Sequence, residues 1–329
     1  MIKHRAFTLL EMMVALAMAG IIAAAAVGAG MAINRVMVDT RRRATVWDEA
    51  KRLEEALLSR VQEAGGDPMA SFQSVFVEDN CVADGTRNLP DCAGADRLTI
   101  LAAKPGLPVC AVEVLGAVLK GVASPCCITA DFVGPAVLVR DDGVAVTVSL
   151  HNPNLASCQV NAPPGQGNPT PQALGDGKLA LITAQTIFPR PKGANGEYEL
   201  MLWTDSGSPA NGLVDEVELG LFADRVYDFQ IALGYDSAPE DGDVVDNGTT
   251  TDEWLGNAEP IPATLPASIA PSQLRMIDIA VAVGTRAEQF TNIATKLHNR
   301  SGVGVNPTNV YLAPTRGQIA FRNLNISVP

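Results

Sequence analysis

With 329 residues and 47% hydrophobic side chains, the chain has ample material for a buried core, which excludes a disordered tail and allows one large or two modest domains. Its formal charge of -12 repels phosphate backbones, so nucleic acid is not an expected partner. A chain beginning at Phe7 would lose Lys3 and Arg5 and be more acidic still.

The first element follows the short basic segment Lys3-His4-Arg5. From Phe7 to Ile33 the residues are overwhelmingly apolar, a helix of about 40 Å at about 1.5 Å per residue, long enough to cross a bilayer with tilt. Glu11 is the one ionisable side chain between Arg5 and Arg35. A carboxylate within a membrane helix costs about 2.5 to 3.5 kcal/mol on the mildest insertion scale, so its presence asks for a function and a partner. A cleaved signal peptide could use the small residues from Ala24 to Ala32, and a plain anchor could use the whole run. Neither accounts for Glu11.

From Asn34 the composition turns charged while a helical period persists through Val36, Val46 or Trp47, Ala50, Leu53, Leu57, Val61 and Ala64. The helix is therefore expected to continue beyond the membrane. Asp39 with Arg43, Asp48 with Arg52 and Lys51 with Glu55 stand four apart on its outer face, and Gly65-Gly66-Asp67-Pro68 ends it. Arg41, Arg42 and Arg43, with acids close by, read as a solvated face rather than a ligand site.

Beyond Pro68, short alternating runs separated by turn residues predict a β-rich globular region. Strands are expected at Arg97 to Ala102, Val109 to Leu115 and Ile128 to Val133. Ala136 to Leu150 predicts a hairpin turning through Arg140-Asp141-Asp142-Gly143. Asn152 to Gly177, rich in Pro, Gly, Asn and Gln, reads as a long loop. Strands resume at Leu179 to Phe188, broken by Pro189-Arg190-Pro191, then at Glu197 to Trp203, Val214 to Phe222 and Arg225 to Tyr235. Pro260 to Pro271 reads as a connector, Ala287 to Asn299 as a short helix, and Arg275 to Thr285 and Gln318 to Val328 as closing strands.

Six cysteines, Cys81, Cys92, Cys110, Cys126, Cys127 and Cys158, follow the apolar helix without CxxC spacing. An even count behind an export signal favours disulfides, in any of about 15 pairings. Cys81 and Cys92 could clip one loop, and the adjacent Cys126 and Cys127 would most simply go to different partners. Asp236, Asp241, Asp243 and Asp246, with Glu240 and Gly242, place oxygens every few residues in the way Ca²⁺ requires, although the spacing is not that of an EF-hand. No other cofactor is indicated. His151 and His298 read as turn and surface residues, and no GxSxG, HExxH or phosphate-binding loop occurs, so no enzymatic activity is expected.

Ala6-Phe7-Thr8-Leu9-Leu10-Glu11, between a basic leader and an apolar run, resembles the processing site of type IV pilins and pseudopilins. That resemblance implies a leader of residues 1–6 cut by a prepilin peptidase after Ala6, methylation of the Phe7 amine, and pairing of that amine with Glu11 of the same or a neighbouring subunit. Ala6 stands where the family usually has glycine. It further implies an α+β chain with a transmembrane half-helix at 7–33, an amphipathic half at 34–66 and a β-rich periplasmic head at 67–329. The partners would be other pilins and the inner-membrane assembly platform. Arg225 to Asp236, Trp254, Arg275 to Val281 and Phe321-Arg322-Asn323 resemble the C-terminal half of PilW-type minor pilins, with Leu233-Gly234-Tyr235-Asp236 permuting the family's tyrosine and glycine. The resemblance leaves open a pseudopilin at the tip of a type II secretion pseudopilus and a calcium-dependent adhesin on a pilin stalk.

Overall fold

The computed structural model describes residues 9–62, 74–78, 81, 83, 89–92, 95–104, 106–142, 144–163, 174–192, 197–204, 219–236, 244, 253–255, 273–286 and 310–320. It has an α+β architecture, one long helix followed by a strand-rich region. Helix α1 runs unbroken from Leu9–Gln62, 54 residues and about 81 Å long. Its two halves meet different surroundings. Every residue from 9 to 38 is exposed, whereas Val46, Ala50, Leu53, Leu57 and Val61 are buried at steps of three and four, one stripe of the helix. Val36 stays exposed because the stripe covered by the sheet begins only at Val46, and Trp47 stays exposed because it stands one residue off that stripe, about 100° around the helix.

The strands that follow are β1 (Val75–Glu78), β2 (Arg97–Ala103), β3 (Cys110–Leu115), β4 (Val118–Gly121), β5 (Gly134–Arg140), β6 (Ala145–Asn154) and β7 (Gln159–Asn161). They continue with β8 (Gly177–Pro191), β9 (Tyr198–Thr204), β10 (Leu219–Tyr235), β11 (Trp254–Leu255), β12 (Leu274–Arg286) and β13 (Val310–Ala320). All described pairings are antiparallel. One run of neighbours, β13-β12-β10-β9-β8-β2-β1, forms an open sheet with β11 beside the end of β10. The α1 stripe packs on β12 and β13, and its residues share one core with Leu98, Ile100, Ile187, Phe188, Phe229, Ile279 and Val281.

The first three residues of β8 are bordered on both sides, by β3 and by β5, and β5 alone continues to Leu181. Following β8-β3-β4-β7-β6-β5 therefore returns to β8, and the six strands close into a small barrel. Alternation along the strands directs Cys110 and Val112, Ala136 and Leu138, and Leu179 and Leu181 into one interior with Leu119, Val148, Leu150 and Val160. On the other face, Val137 meets Leu101 and Ile182, which joins the barrel to the open sheet. The long strand β8 runs through both.

Several expectations are corrected. Ile128 to Val133 is not a strand: it turns, with Phe132 N donating to Thr129 O at 3.1 Å, and sends Ile128 and Phe132 into the barrel as a plug. The stretch from Asn152 is not all loop, since β6 runs to Asn154 and β7 returns beside it. Pro189 and Pro191 do not break β8. The pairing of β8 with β2 ends at Ile187, so past Phe188 only β9 borders β8, and the missing N–H groups can face the side with no strand. Leu219 to Phe222 and Arg225 to Tyr235 do not form two strands, because β10 is one strand carrying a bulge, and 214–218 lie outside the described residues. A strand not expected from the sequence, β13, runs from Val310–Ala320 and overlaps the expected closing strand at 318–320, whereas 321–328 lie outside the described residues. Pro260 to Pro271 and Ala287 to Asn299 lie outside the described residues.

Candidate assembly and anchoring site

Glu11 lies in the first turn of α1, where a negative charge complements the helix dipole. Around it stand Leu9, Leu10, Met12, Met13, Val14 and Leu16, all exposed; Leu9 keeps 80% of its surface. Ala6 and Phe7 lie outside the described residues. An apolar helix with an 18-residue window of mean hydropathy 2.2, none of it buried, needs either a lipid or a protein environment.

At the other end, α1 is fastened to the sheet by specific contacts. Gly317 of β13 lies so close beneath the helix that a Cβ there would stand 2.6 Å from Glu54 Oε1 and 2.7 Å from Leu58 Cδ1. The Thr315 hydroxyl donates to Glu54. Asp278, buried on β12, accepts from Arg316 Nε at 2.6 Å and from Gln318 Nε2 at 2.8 Å. Burial raises the Glu54 pKa above the ordinary carboxylate value; Lys51 opposes the shift, and the carboxylates of Glu55 and Asp278 add to it.

A second fastening comes from the bulge in β10, where the register jumps between Ala223 and Val226 and Arg225 takes a φ of 55°. That conformation is uncommon for a side-chain-bearing residue, and bulges re-aim side chains. Here it aims Arg225 at the helix, where Nη2 lies 2.9 and 3.1 Å from the two Glu49 oxygens. Asp224 accepts from Lys192 Nζ at 2.8 Å, and Glu199 accepts from Arg190 at 2.8 Å and lies 3.2 Å from Lys192. Hydrogen bonds from Arg190 and then Lys192 hold Glu199 below the usual carboxylate range, the bond from Lys192 does the same for Asp224, and both carboxylates raise Lys192. Three strands are thereby tied beside the helix contact.

The six cysteines form three disulfides, Cys81–Cys92, Cys110–Cys127 and Cys126–Cys158, with Cα separations of 5.3, 5.6 and 5.6 Å. The last two lie in the barrel and send Cys126 and Cys127 to different strands' ends. Cys81–Cys92 closes a short segment over the buried Arg97, whose guanidinium reaches Glu78 at 2.6 Å and Pro90 O at 2.9 Å.

Of the proposed calcium ligands, Asp236 is buried and its Oδ2 accepts from Arg275 Nε and Nη2, each at 3.2 Å. Asp241, Asp243 and Asp246 lie outside the described residues. No group of three or more His, Cys, Asp or Glu side chains suited to a metal occurs among the described residues. His151 lies 3.2 Å from Ser149 on the same strand, and His298 is outside the described residues.

The sequence reading missed Glu49, Glu54, Arg225, Asp278 and Gly317. One signal was present: Ala223-Asp224-Arg225 interrupts an otherwise continuous strand, and a polar break of that length marks a bulge as well as a boundary.

Residues 1–27 match the family described as the prokaryotic N-terminal methylation motif, which is typical of type IV pilins and pseudopilins. No curated protein and no solved structure matches the chain.

Proposed function

We propose that this chain, which carries the prokaryotic N-terminal methylation motif, is a minor pilin of PilW type: a prepilin-processed subunit that primes, caps or joins a type IV pilus filament. The observation that carries this reading is the division of α1. A methylation motif heads a half-helix with exposed apolar surface on all sides, and the same helix then buries a single stripe in a strand-rich head. The half-helix at 7–33 sits in the inner membrane before assembly, and in the filament it packs against the corresponding helices of neighbouring subunits. Residues 34–66 form the stalk of a periplasmic head at 67–329, and the protein has no catalytic task.

Cleavage by a prepilin peptidase after Ala6 exposes the Phe7 amine, which is then methylated. The amine meets Glu11 of the same or an adjacent subunit, and in low dielectric that pair offsets a buried charge that would otherwise oppose insertion. The assembly platform of the inner membrane lifts the subunit out. A head containing both an open sheet and a closed barrel is bulky for a repeating shaft, which favours a tip or priming position.

Mass spectrometry of the mature protein tests the reading. It should find methylated Phe7 as the first residue, and a start near Ala29 or Ala32 would overturn the assignment. Glu11→Ala should leave cleavage intact and reduce incorporation into filaments.

A further inference from the structure

Just beyond the apolar part of α1, an open recess of about 280 Å³ lies between the helix and the β10 bulge, lined by Val38, Arg41, Arg42, Thr45, Val46 and Arg225. Three of its six residues are arginines, in a chain whose net charge is -12. Arg43 pairs with Asp39 at 3.0 Å and Arg225 with Glu49, whereas Arg41 and Arg42 form no ion pair among the described residues. The local acids thus account for Arg43 and leave two guanidiniums facing the recess unmatched. Beside them, Val38 presents an apolar surface that is 41% exposed.

Position along the helix identifies the occupant. Arg41 follows Ile33, the last residue of the apolar run, by eight residues, or about 12 Å of helix. Long helical side chains lean toward the N-terminus, which brings the Arg41 and Arg42 guanidiniums back toward the membrane. The polar layer of a bilayer adds about 5 to 7 Å on each side of the hydrocarbon, so these groups reach the phosphates of the outer leaflet. Guanidinium forks bind phosphate in bidentate fashion, and an apolar neighbour suits the glycerol and upper acyl chain.

We propose that this recess holds the phosphate of an anionic phospholipid in the outer leaflet of the membrane that α1 spans. The site lets an acidic head rest on an anionic surface that would otherwise repel it, and it fixes how far the helix stands out of the membrane. The inference rests on the reading of α1 as membrane-spanning.

The test uses the full-length protein in neutral-detergent micelles doped with phosphatidylglycerol or phosphatidylcholine, with retained lipid counted by native mass spectrometry. Phosphatidylglycerol should be retained over phosphatidylcholine, and the exposed double variant Arg41→Gln/Arg42→Gln should bind it about thirtyfold more weakly. Arg41→Lys/Arg42→Lys should recover part of that loss, which a merely misfolded recess would not. Equal retention of the two lipids, or unchanged phosphatidylglycerol binding in the glutamine variant, would overturn the proposal. So would displacement of the lipid by millimolar inorganic phosphate, which would mark a free-anion site. Lipid binding unchanged alongside lost binding to a neighbouring pilin would assign the arginines to a protein contact and likewise overturn it. Alkaline carbonate extraction separates the premises: release of the wild-type chain would sink the membrane-spanning reading, whereas firm retention without lipid preference sinks only the lipid site.

Discussion

Gly177→Ala should open the barrel while leaving the helix-bearing sheet intact. Gly177 sits where β8 is flanked by Val112 of β3 on one side and Arg140 of β5 on the other. A Cβ there would stand 2.1 Å from Val139 O and 2.7 Å from Arg140 Cα, both backbone atoms that no rotamer change can move. To restore ordinary contact, the end of β5 must retreat by about 1 Å, which strains its last pairings with β8 at Gly177 and Lys178. Overpacking of this kind costs about 1 to 3 kcal/mol, and a backbone obstacle belongs at the upper end. Replacing glycine also restricts the unfolded chain and returns about 0.4 to 1 kcal/mol, leaving a net loss of about 2 kcal/mol. Read by amide hydrogen exchange of the full chain, that loss is about a thirtyfold fall in protection across 134–140 and 177–182. Residues 274–286, in the sheet under α1, should exchange as in the wild type. Protection of the barrel within threefold of the wild type would refute the closure argument; an equal fall in both regions would show that barrel and sheet open as one unit.

Leu57→Ala, at a fully buried position of the α1 stripe, should destabilise the chain by about 2 to 5 kcal/mol and free the helix from β12 and β13, measured by denaturant unfolding and by proteolysis near residue 57. The raised pKa of Glu54 means that the folded chain binds more protons than the unfolded one between the ordinary carboxylate value of 4.5 and the raised value. Stability from this group therefore falls as pH rises through that window, and Glu54→Gln should raise the unfolding midpoint at pH 7 with little effect at pH 4. Glu199 and Asp224 behave oppositely: their depressed pKa values add stability that is present above about pH 4.5 and lost as pH falls through the folded values. Lys192→Met should remove most of Asp224's share of that acid-side loss and lessen that of Glu199, which Arg190 still holds, and a pH series of melting curves that still matched the wild type between pH 2 and 5 would argue against the network.

The contrast between these positions shows what each level of description supplies. Helix α1 was legible in the sequence because its cause is local: an unbroken apolar run, then apolar residues at three- and four-residue steps, specify a helix and its buried stripe with no knowledge of the partner surface. The hairpin of β5 and β6 was legible for the same reason, since its register follows from one short turn, with Arg140 N donating to Val144 O at 2.9 Å. Glu11 stood out from sequence alone because a single charge in an apolar run needs no contact map to be noticed.

Only the tertiary structure decided that β8 is shared by a barrel and a sheet, because strand partners distant in sequence leave no periodic trace in either strand. The barrel's plug at Ile128 and Phe132 looked like a strand because burial on a turn and burial on a strand select the same side chains. Arg41 and Arg42 gained a meaning beyond a solvated face only when the β10 bulge closed a recess over them, with Arg225 arriving from 183 residues away. Local chemistry thus determined the helix and its lone carboxylate, whereas the surface that the helix holds, and the groups it brings together, required long-range packing.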